Sequence, residues 1–103
     1  MFELIKNLFG IKSVDYAQLV KDGAIILDVR TSGEFSTGHI KGSVNIPVNA
    51  LSKNLTKLKA KNKPIITCCA SGMRSATAKS ILQSNSISNV YNGGSWMSLN
   101  NKL

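Results

Sequence analysis

The chain has 103 residues, 43% of them hydrophobic, and its 13 lysines and arginines against 5 acidic residues give a formal net charge of +8. This length and composition predict one folded domain and exclude both a second core and a largely disordered chain. The two cysteines, Cys68 and Cys69, are neighbours whose Cα atoms lie only ~3.8 Å apart, which excludes a secreted disulfide framework and favours a reducing, cytoplasmic compartment.

The first ten residues, MFELIKNLFG, form an amphipathic pattern. Their apolar side chains share one helical face, which holds Phe2, Ile5, Leu8 and Phe9. Charges within this segment interrupt its apolar run, so we expect neither a signal peptide nor a membrane span. The apolar face could dock on a membrane surface or on the domain itself, and ten residues make a weak membrane anchor. We therefore expect an N-terminal extension over residues 1–10 that packs on the domain or frays, and a single domain over residues 11–103.

After this segment, helix and strand patterns alternate. Ser13 can cap a helix over Val14–Lys21, which Asp22-Gly23 ends. Apolar, β-branched runs predict strands buried in a sheet, at Ala24–Val29, Ser43–Pro47, Pro64–Cys69 and, more briefly, Asn89–Asn92. Helices are predicted between and after them, at Leu51–Leu58, Arg74–Leu82 and Ser95–Leu99. This alternation predicts an α/β fold with a parallel sheet and helices on both faces.

Two loops follow predicted strands at the edge where such sheets bind ligands. They are RTSGEFSTGHIKG, residues 30–42, and CASGMRS, residues 69–75. Cys69 at a strand end would point its sulfur into a cup of backbone N–H groups from Ala70, Ser71, Gly72 and Met73, with Gly72 free to take a positive φ. A helix start near Arg74 or Ser75, together with the Arg74 cation, favours the thiolate, which is the nucleophilic form. Cys68 is interpreted as a small buried hydrophobe.

Basic residues are unopposed after Glu34, the last acidic residue of the chain. They include a lysine run that contains no aromatic residue, formed by Lys53, Lys57, Lys59, Lys61 and Lys63. Because nucleic-acid binding would favour interleaved aromatic side chains, we expect no nucleic-acid partner and interpret the run as a solvated face. The overall charge favours small anionic ligands.

Four segments in order resemble the signatures of single-domain rhodaneses, which are sulfurtransferases. They are LDVRTSGEF (27–35), GHIKGSVNIP (38–47), PIITCCASGMRS (64–75) and YNGGSW (91–96). The resemblance implies a three-layer α/β/α fold with a five-stranded parallel sheet, and no metal or organic cofactor. It also implies a persulfide on Cys69, because four residues, Ala70 to Met73, separate this cysteine from Arg74.

The resemblance further implies a two-step sulfur transfer from a small anionic donor or a protein persulfide to a thiophilic acceptor. The loop amides of residues 70–73 would hold the sulfur with Arg74 and Ser75. Arg74 would hold the loop or the donor, and Glu34 is its expected carboxylate partner. Asp28 is expected to hold a strand end through turn hydrogen bonds, and Arg30 is expected to be architectural.

Two other functions remain open at this stage. Counted from Cys68, five residues precede Arg74, which is the spacing of cysteine-dependent phosphatases and arsenate reductases. A non-catalytic docking module is the second alternative. His39, the single histidine, lacks zinc-site spacing relative to the cysteines and is expected to form a hydrogen bond within its turn. The oligomeric state has no signature in the sequence.

Overall fold

The computed structural model describes residues 13–103, which form five α-helices, one 3₁₀-helix and four β-strands. In chain order they are α1 (Tyr16–Lys21), β1 (Ile25–Asp28), α2 (Ser32–Ser36), β2 (Val44–Asn45), the 3₁₀-helix (Val48–Asn54), α3 (Leu55–Lys61), β3 (Ile65–Cys69), α4 (Met73–Ser84), β4 (Val90–Ser95) and α5 (Trp96–Asn100). Within these residues, no helix has the length and apolar composition needed to cross a bilayer.

The four strands form one parallel sheet in the order β2-β1-β3-β4. Leu27 of β1 pairs with Val44 on one side and with Thr67 of β3 on the other, and Thr67 pairs with Asn92 of β4. The predicted parallel α/β sheet is therefore confirmed. The carboxyl ends of β1 and β3 lie side by side and carry the two loops singled out in the sequence.

The expectation of five strands is wrong for residues 13–103. That number came from the family resemblance, whereas four segments of this range carry the apolar, β-branched pattern of a strand. The predicted extension at residues 1–10 lies outside the described residues.

The core consists of two apolar clusters on opposite faces of the sheet, because successive side chains of a strand alternate between faces. On β3, Ile65 and Cys69 belong to one cluster, whereas Ile66 and Cys68 belong to the other. The Cys69 cluster also contains Leu51 of the 3₁₀-helix, Leu58 of α3 and Leu82 of α4. The Cys68 cluster is covered by Leu19 of α1 and by Trp96 and Leu99 of α5. Residues of helices thus contribute to both clusters.

Several element boundaries differ from the predicted ones. Asp15, rather than Ser13, caps α1, because its carboxylate accepts a hydrogen bond from the amide of Gln18 at 3.0 Å. The predicted Leu51–Leu58 helix begins earlier, as a 3₁₀-helix at Val48, and continues as α3 to Lys61.

The strand predicted as buried over Ser43–Pro47 is only the pair Val44–Asn45. It lies at the edge of the sheet, where Val44 is 41% exposed. The segment predicted as a loop after β1 contains α2, which Thr31 and Glu34 stabilise by capping each other's backbone N–H groups.

Candidate functional site

Cys69 ends β3, and its sulfur lies under the loop that leads into α4. The residue has 0% exposure. Its Sγ accepts hydrogen bonds from the backbone amides of Gly72, at 2.9 Å, and Ser75, at 3.3 Å. The amides of Gly72 and Ser75 thus form a cradle around the Cys69 sulfur.

Gly72 makes this cradle possible through its backbone conformation. Its φ is +104°, and it is the residue immediately before α4. A Cβ at this position would lie 3.5 Å from Cα of Gly94 in β4, so the loop runs close to that strand. The predicted positive φ at Gly72 is confirmed.

The predicted cup differs in which amides it uses. Among the hydrogen bonds of residues 13–103, those to Cys69 Sγ come from Gly72 and Ser75, not from Ala70, Ser71 or Met73. Ala70, Ser71 and Met73 are exposed, and Met73 has the exposed fraction 78%. The solvent face of the loop therefore carries small and thioether side chains without charge.

Arg74 forms a bidentate ion pair with Glu34, the carboxylate expected from the sequence. Its two terminal nitrogens donate to the Glu34 carboxylate oxygens at 2.8 and 3.0 Å. The same carboxylate accepts from the Thr31 amide at 3.0 Å, as part of the α2 cap. The pair therefore connects the first turn of α4 to α2, and Arg74 is engaged in holding the loop.

Asp28 and Arg30 form a separate, buried ion pair at the end of β1. Arg30 Nε donates to Asp28 Oδ1 at 3.0 Å and Nη2 donates to Oδ2 at 2.7 Å, while Nη2 also donates to the Gly38 carbonyl at 2.7 Å. The guanidinium lies 4.7 Å from the ring centroid of Trp96. These contacts connect β1, the loop after α2 and α5.

Comparison with known proteins identifies the family of this chain. The family model for the rhodanese-like domain matches residues 13–99. The chain belongs to the rhodanese-like domain family. The resemblance seen in the four sequence segments is thereby confirmed.

Three related proteins illustrate the match. Over 69 residues the chain is 35% identical to the uncharacterized protein YqhL of Bacillus subtilis, covering 67% of this chain and 54% of YqhL. Over 74 residues it is 31% identical to the thiosulfate sulfurtransferase GlpE of Ectopseudomonas mendocina, covering 72% of this chain and 67% of GlpE. The solved rhodanese with anions from E. coli superposes with a TM-score of 0.67 at 27% identity, covering 74% of this chain and 91% of that one. The chain spans about half the length of YqhL.

Cys68 of this rhodanese-like domain occupies a different environment from Cys69. It also has 0% exposure, but it belongs to the apolar cluster on the opposite face of the sheet. Burial, followed by the nearby Asp28 carboxylate, raises the pKa of the Cys68 thiol to about 12. The raised pKa and the position of Cys68 on the face opposite the two amides both weigh against a phosphatase or arsenate reductase built on it.

Thr67 and Asn92 belong to the surroundings of the site and were not identified from the sequence. Thr67 Oγ1 lies 2.8 Å from Ser75 Oγ, and Ser75 Oγ donates to Asn92 Oδ1 at 2.5 Å. The available signal was Asn92 itself, a turn-forming residue directly before Gly93-Gly94. Its partner on α4 could not be inferred without the pairing of β3 with β4.

His39 is exposed and has a local role in this domain. Its Nδ1 lies 2.7 Å from the carbonyl of Phe35, and the two rings stack with centroids 3.7 Å apart. The hydrogen bond expected within its turn is confirmed. Within residues 13–103, no three potential ligands among His, Cys, Asp and Glu converge as a metal site would require.

The Arg74–Glu34 pair predicts a pH-dependent stability. The hydrogen bonds from Arg74, followed by that from the Thr31 amide, lower the pKa of Glu34 from its ordinary 4.5 to about 2. A lowered folded-state pKa adds stability above the unfolded pKa, and this contribution disappears as the pH falls through the folded value. Wild type should therefore be more stable than Glu34→Gln at neutral pH, with the difference shrinking between pH 4.5 and about 2.

Thermal unfolding of both proteins at about pH 7, pH 4 and pH 2.5 tests this prediction. An equally large difference at the lowest and highest pH would show that ionisation of Glu34 is not what stabilises the loop.

Proposed function

We propose that this domain is a sulfurtransferase in which Cys69 carries the transferred sulfur as a persulfide. The observation that carries the proposal is the pair of amide hydrogen bonds to Cys69 Sγ, from Gly72 and Ser75, at the end of β3. The thiosulfate sulfurtransferase GlpE among its relatives agrees with this chemistry. This proposed activity is that of the 103-residue chain, which spans about half the length of YqhL.

The reaction proceeds in two displacements. The Cys69 thiolate attacks the sulfane sulfur of the donor, a new S–S bond forms, and the old bond to that sulfur breaks. With thiosulfate as donor, sulfite leaves with the electron pair. A thiolate acceptor then attacks the outer sulfur of the Cys69 persulfide, and the S–S bond to Cys69 breaks so that its thiolate is regenerated. Neither step requires a general base from the protein.

The surrounding residues hold the reacting sulfur in place. The amides of Gly72 and Ser75 stabilise negative charge on Cys69, both before attack and as the sulfur leaves. The Arg74–Glu34 pair holds the first turn of α4, which carries Ser75. Asp28 and Arg30 support the neighbouring loop. In the part of the chain that the structure describes, no hydrogen bond joins either side chain to Cys69.

Incubation with a polysulfide, followed by intact-mass measurement and peptide mapping, tests the proposal. We expect the mass to increase by one sulfur atom on the peptide that contains Cys69, and the added sulfur to be removed by a thiol acceptor. A non-catalytic docking module would gain no transferable sulfur. Hydrolysis of phosphate esters without persulfide formation would favour the phosphatase alternative.

The loop surface indicates which donors suit this site. Ala70, Ser71 and Met73 carry no charge, and Arg74 is paired with Glu34. A second exposed methionine, Met97 at 63%, lies two residues after Ser95, the β4 residue that pairs with Cys69. Thiosulfate is a dianion that needs cations beside the sulfur, whereas flexible thioether side chains suit less charged donors. We therefore propose polysulfides or protein persulfides as the preferred donors.

The variant Met73→Lys is expected to improve the use of thiosulfate. A new charge-assisted hydrogen bond contributes roughly 1 to 2 kcal/mol, so the KM for thiosulfate should fall about five- to thirtyfold. Met73→Gln, which adds polarity without charge, is the matched control and should leave this KM nearly unchanged. Steady-state kinetics with thiosulfate and a polysulfide measure both effects. A wild-type preference for thiosulfate, or the same KM in Met73→Lys, would contradict this account of donor selection.

A further inference from the structure

Asn92 of β4 accepts two hydrogen bonds on a single side-chain oxygen. Oδ1 accepts from Ser75 Oγ at 2.5 Å and from the backbone amide of Gly94 at 2.9 Å. One donor belongs to the first turn of α4 and the other to β4 itself. Asn92 therefore connects the helix that starts above the site to the strand beside it.

The first of these hydrogen bonds positions Ser75. Ser75 has 0% exposure, and its backbone amide is one of the two donors to Cys69 Sγ. Its hydroxyl lies between Asn92 Oδ1 and Thr67 Oγ1, which is 2.8 Å away. Thr67 precedes Cys69 by two residues on β3. The Ser75 side chain is thus held at two points while its amide points at the sulfur.

The second hydrogen bond positions Gly94, which lies against Gly72. Gly94 has a φ of +80° and lies in a β-bulge, where the register between β3 and β4 shifts after Thr67. A Cβ built on Gly72 would lie 3.5 Å from Gly94 Cα, an ordinary van der Waals distance, so Gly94 is a near neighbour of Gly72. The amide of Gly72 is the other donor to Cys69 Sγ, at 2.9 Å.

We infer that Asn92 is a positioning residue for sulfur transfer, which orients the Ser75 amide at Cys69 through the Ser75 hydroxyl and holds Gly94 beside Gly72. This inference rests on the proposed sulfurtransferase function. Among the hydrogen bonds of residues 13–103, none joins Asn92 to the Cys69 sulfur. Asn92 acts through Ser75 and Gly94, which donate to its oxygen. Loss of its side chain would let the Ser75 amide move and would release Gly94 beside the second donor, so that the reacting Cys69 sulfur loses stabilisation.

Three substitutions separate the two hydrogen bonds. Asn92→Ala removes both. Asn92→Ser removes the bond to Ser75, but its hydroxyl can still accept from the amide two residues on, as serine does in turns. Ser75→Ala removes the same bond from the other side. Asn92→Ser and Ser75→Ala should therefore cause overlapping losses, and the double variant should be no slower than Ser75→Ala alone.

Asn92→Ala is expected to lower kcat for transfer from a polysulfide about tenfold with a KM within about twofold of wild type, and Asn92→Ser to lower kcat about threefold. Alkylation of Cys69 by iodoacetamide should slow in the same order, because the Cys69 sulfur loses its aligned hydrogen-bond donors. Asn100→Ala, an exposed position in α5, is the control and should match wild type. Unfolding curves identify the variants that remain folded, and Asn92→Ser decides the outcome if Asn92→Ala does not fold.

Wild-type rates in the folded Asn92 variants would overturn the inference. So would independent, multiplying losses in the Asn92→Ser and Ser75→Ala double variant. The alkylation measurement does not need sulfur transfer. If wild type transfers no sulfur while the Asn92 variants still slow alkylation, the proposed function fails and the positioning role of Asn92 stands.

Discussion

Cys69→Ser is expected to abolish sulfur transfer, whereas Cys68→Ala retains most of it. The Cys69 sulfur receives two amide hydrogen bonds at the end of β3, and a serine hydroxyl in the same place is too weak a nucleophile to take up sulfane sulfur. Cys68 faces the other cluster and is a thiol at neutral pH, with its pKa raised to about 12 by burial and by Asp28. It takes no part in the proposed chemistry.

At position 68 alanine is preferable to serine, because serine would bury an unpaired hydroxyl. It removes one buried sulfur atom, so we expect a stability loss of about 1 kcal/mol. The measurement is kcat/KM with a polysulfide donor, together with peptide mapping of the persulfide. Transfer by Cys69→Ser, or loss of transfer in a folded Cys68→Ala, would contradict the assignment of the nucleophile.

Asp28→Ala is expected to cause the largest loss of stability among the changes near the site. Asp28 is fully buried, and Arg30 is 4% exposed. Removing the carboxylate leaves the Arg30 charge buried without its counter-ion, which typically costs about 3 to 5 kcal/mol. A domain of this size is stable by about 5 to 15 kcal/mol, so the loss is a large fraction of the total.

Denaturant unfolding of wild type and Asp28→Ala measures this loss. The matched control is Asp22→Ala, which removes an exposed carboxylate at the end of α1 and should change stability by no more than about 0.5 kcal/mol. Replacing both partners, as in Asp28→Leu with Arg30→Met, should cost less than Asp28→Ala alone, because no unpaired charge remains. Equal losses from Asp28→Ala and Asp22→Ala would show that burial of the pair does not control stability.

The positions of the main strands and of the reactive loop follow from the sequence alone. The apolar runs before Asp28 and Cys69 are long enough, and rich enough in β-branched residues, to identify two buried strands. The small residues after Cys69 and the spacing to Arg74 identify the loop and the family. Even the Arg74–Glu34 pair could be predicted, because few acidic residues lie near that end of the sheet.

Other local features had weaker signals. The helix α2 is only five residues long, so its Thr31 and Glu34 cap was not recognised within a loop rich in glycine and serine. The exposure of Val44 depends on β2 being an edge strand, which no pattern within Ser43–Pro47 reveals. The strand β4 continues through Gly93-Gly94 to Ser95, although paired glycines ordinarily indicate a turn.

Only the tertiary structure decided which groups meet around the sulfur. Alternation along β3 implies that Cys68 and Cys69 face opposite ways, but the packing of α4 against one face determines which of them receives amide hydrogen bonds. The bond between Ser75 and Asn92 joins residues 17 positions apart. It depends on the register of β3 against β4 and on the bulge after Thr67. Periodicity and turn preferences act over a few residues, whereas register is set by the packing of the whole sheet. Local pattern could therefore identify the loop after Cys69 but not the Asn92 side chain that bonds to Ser75.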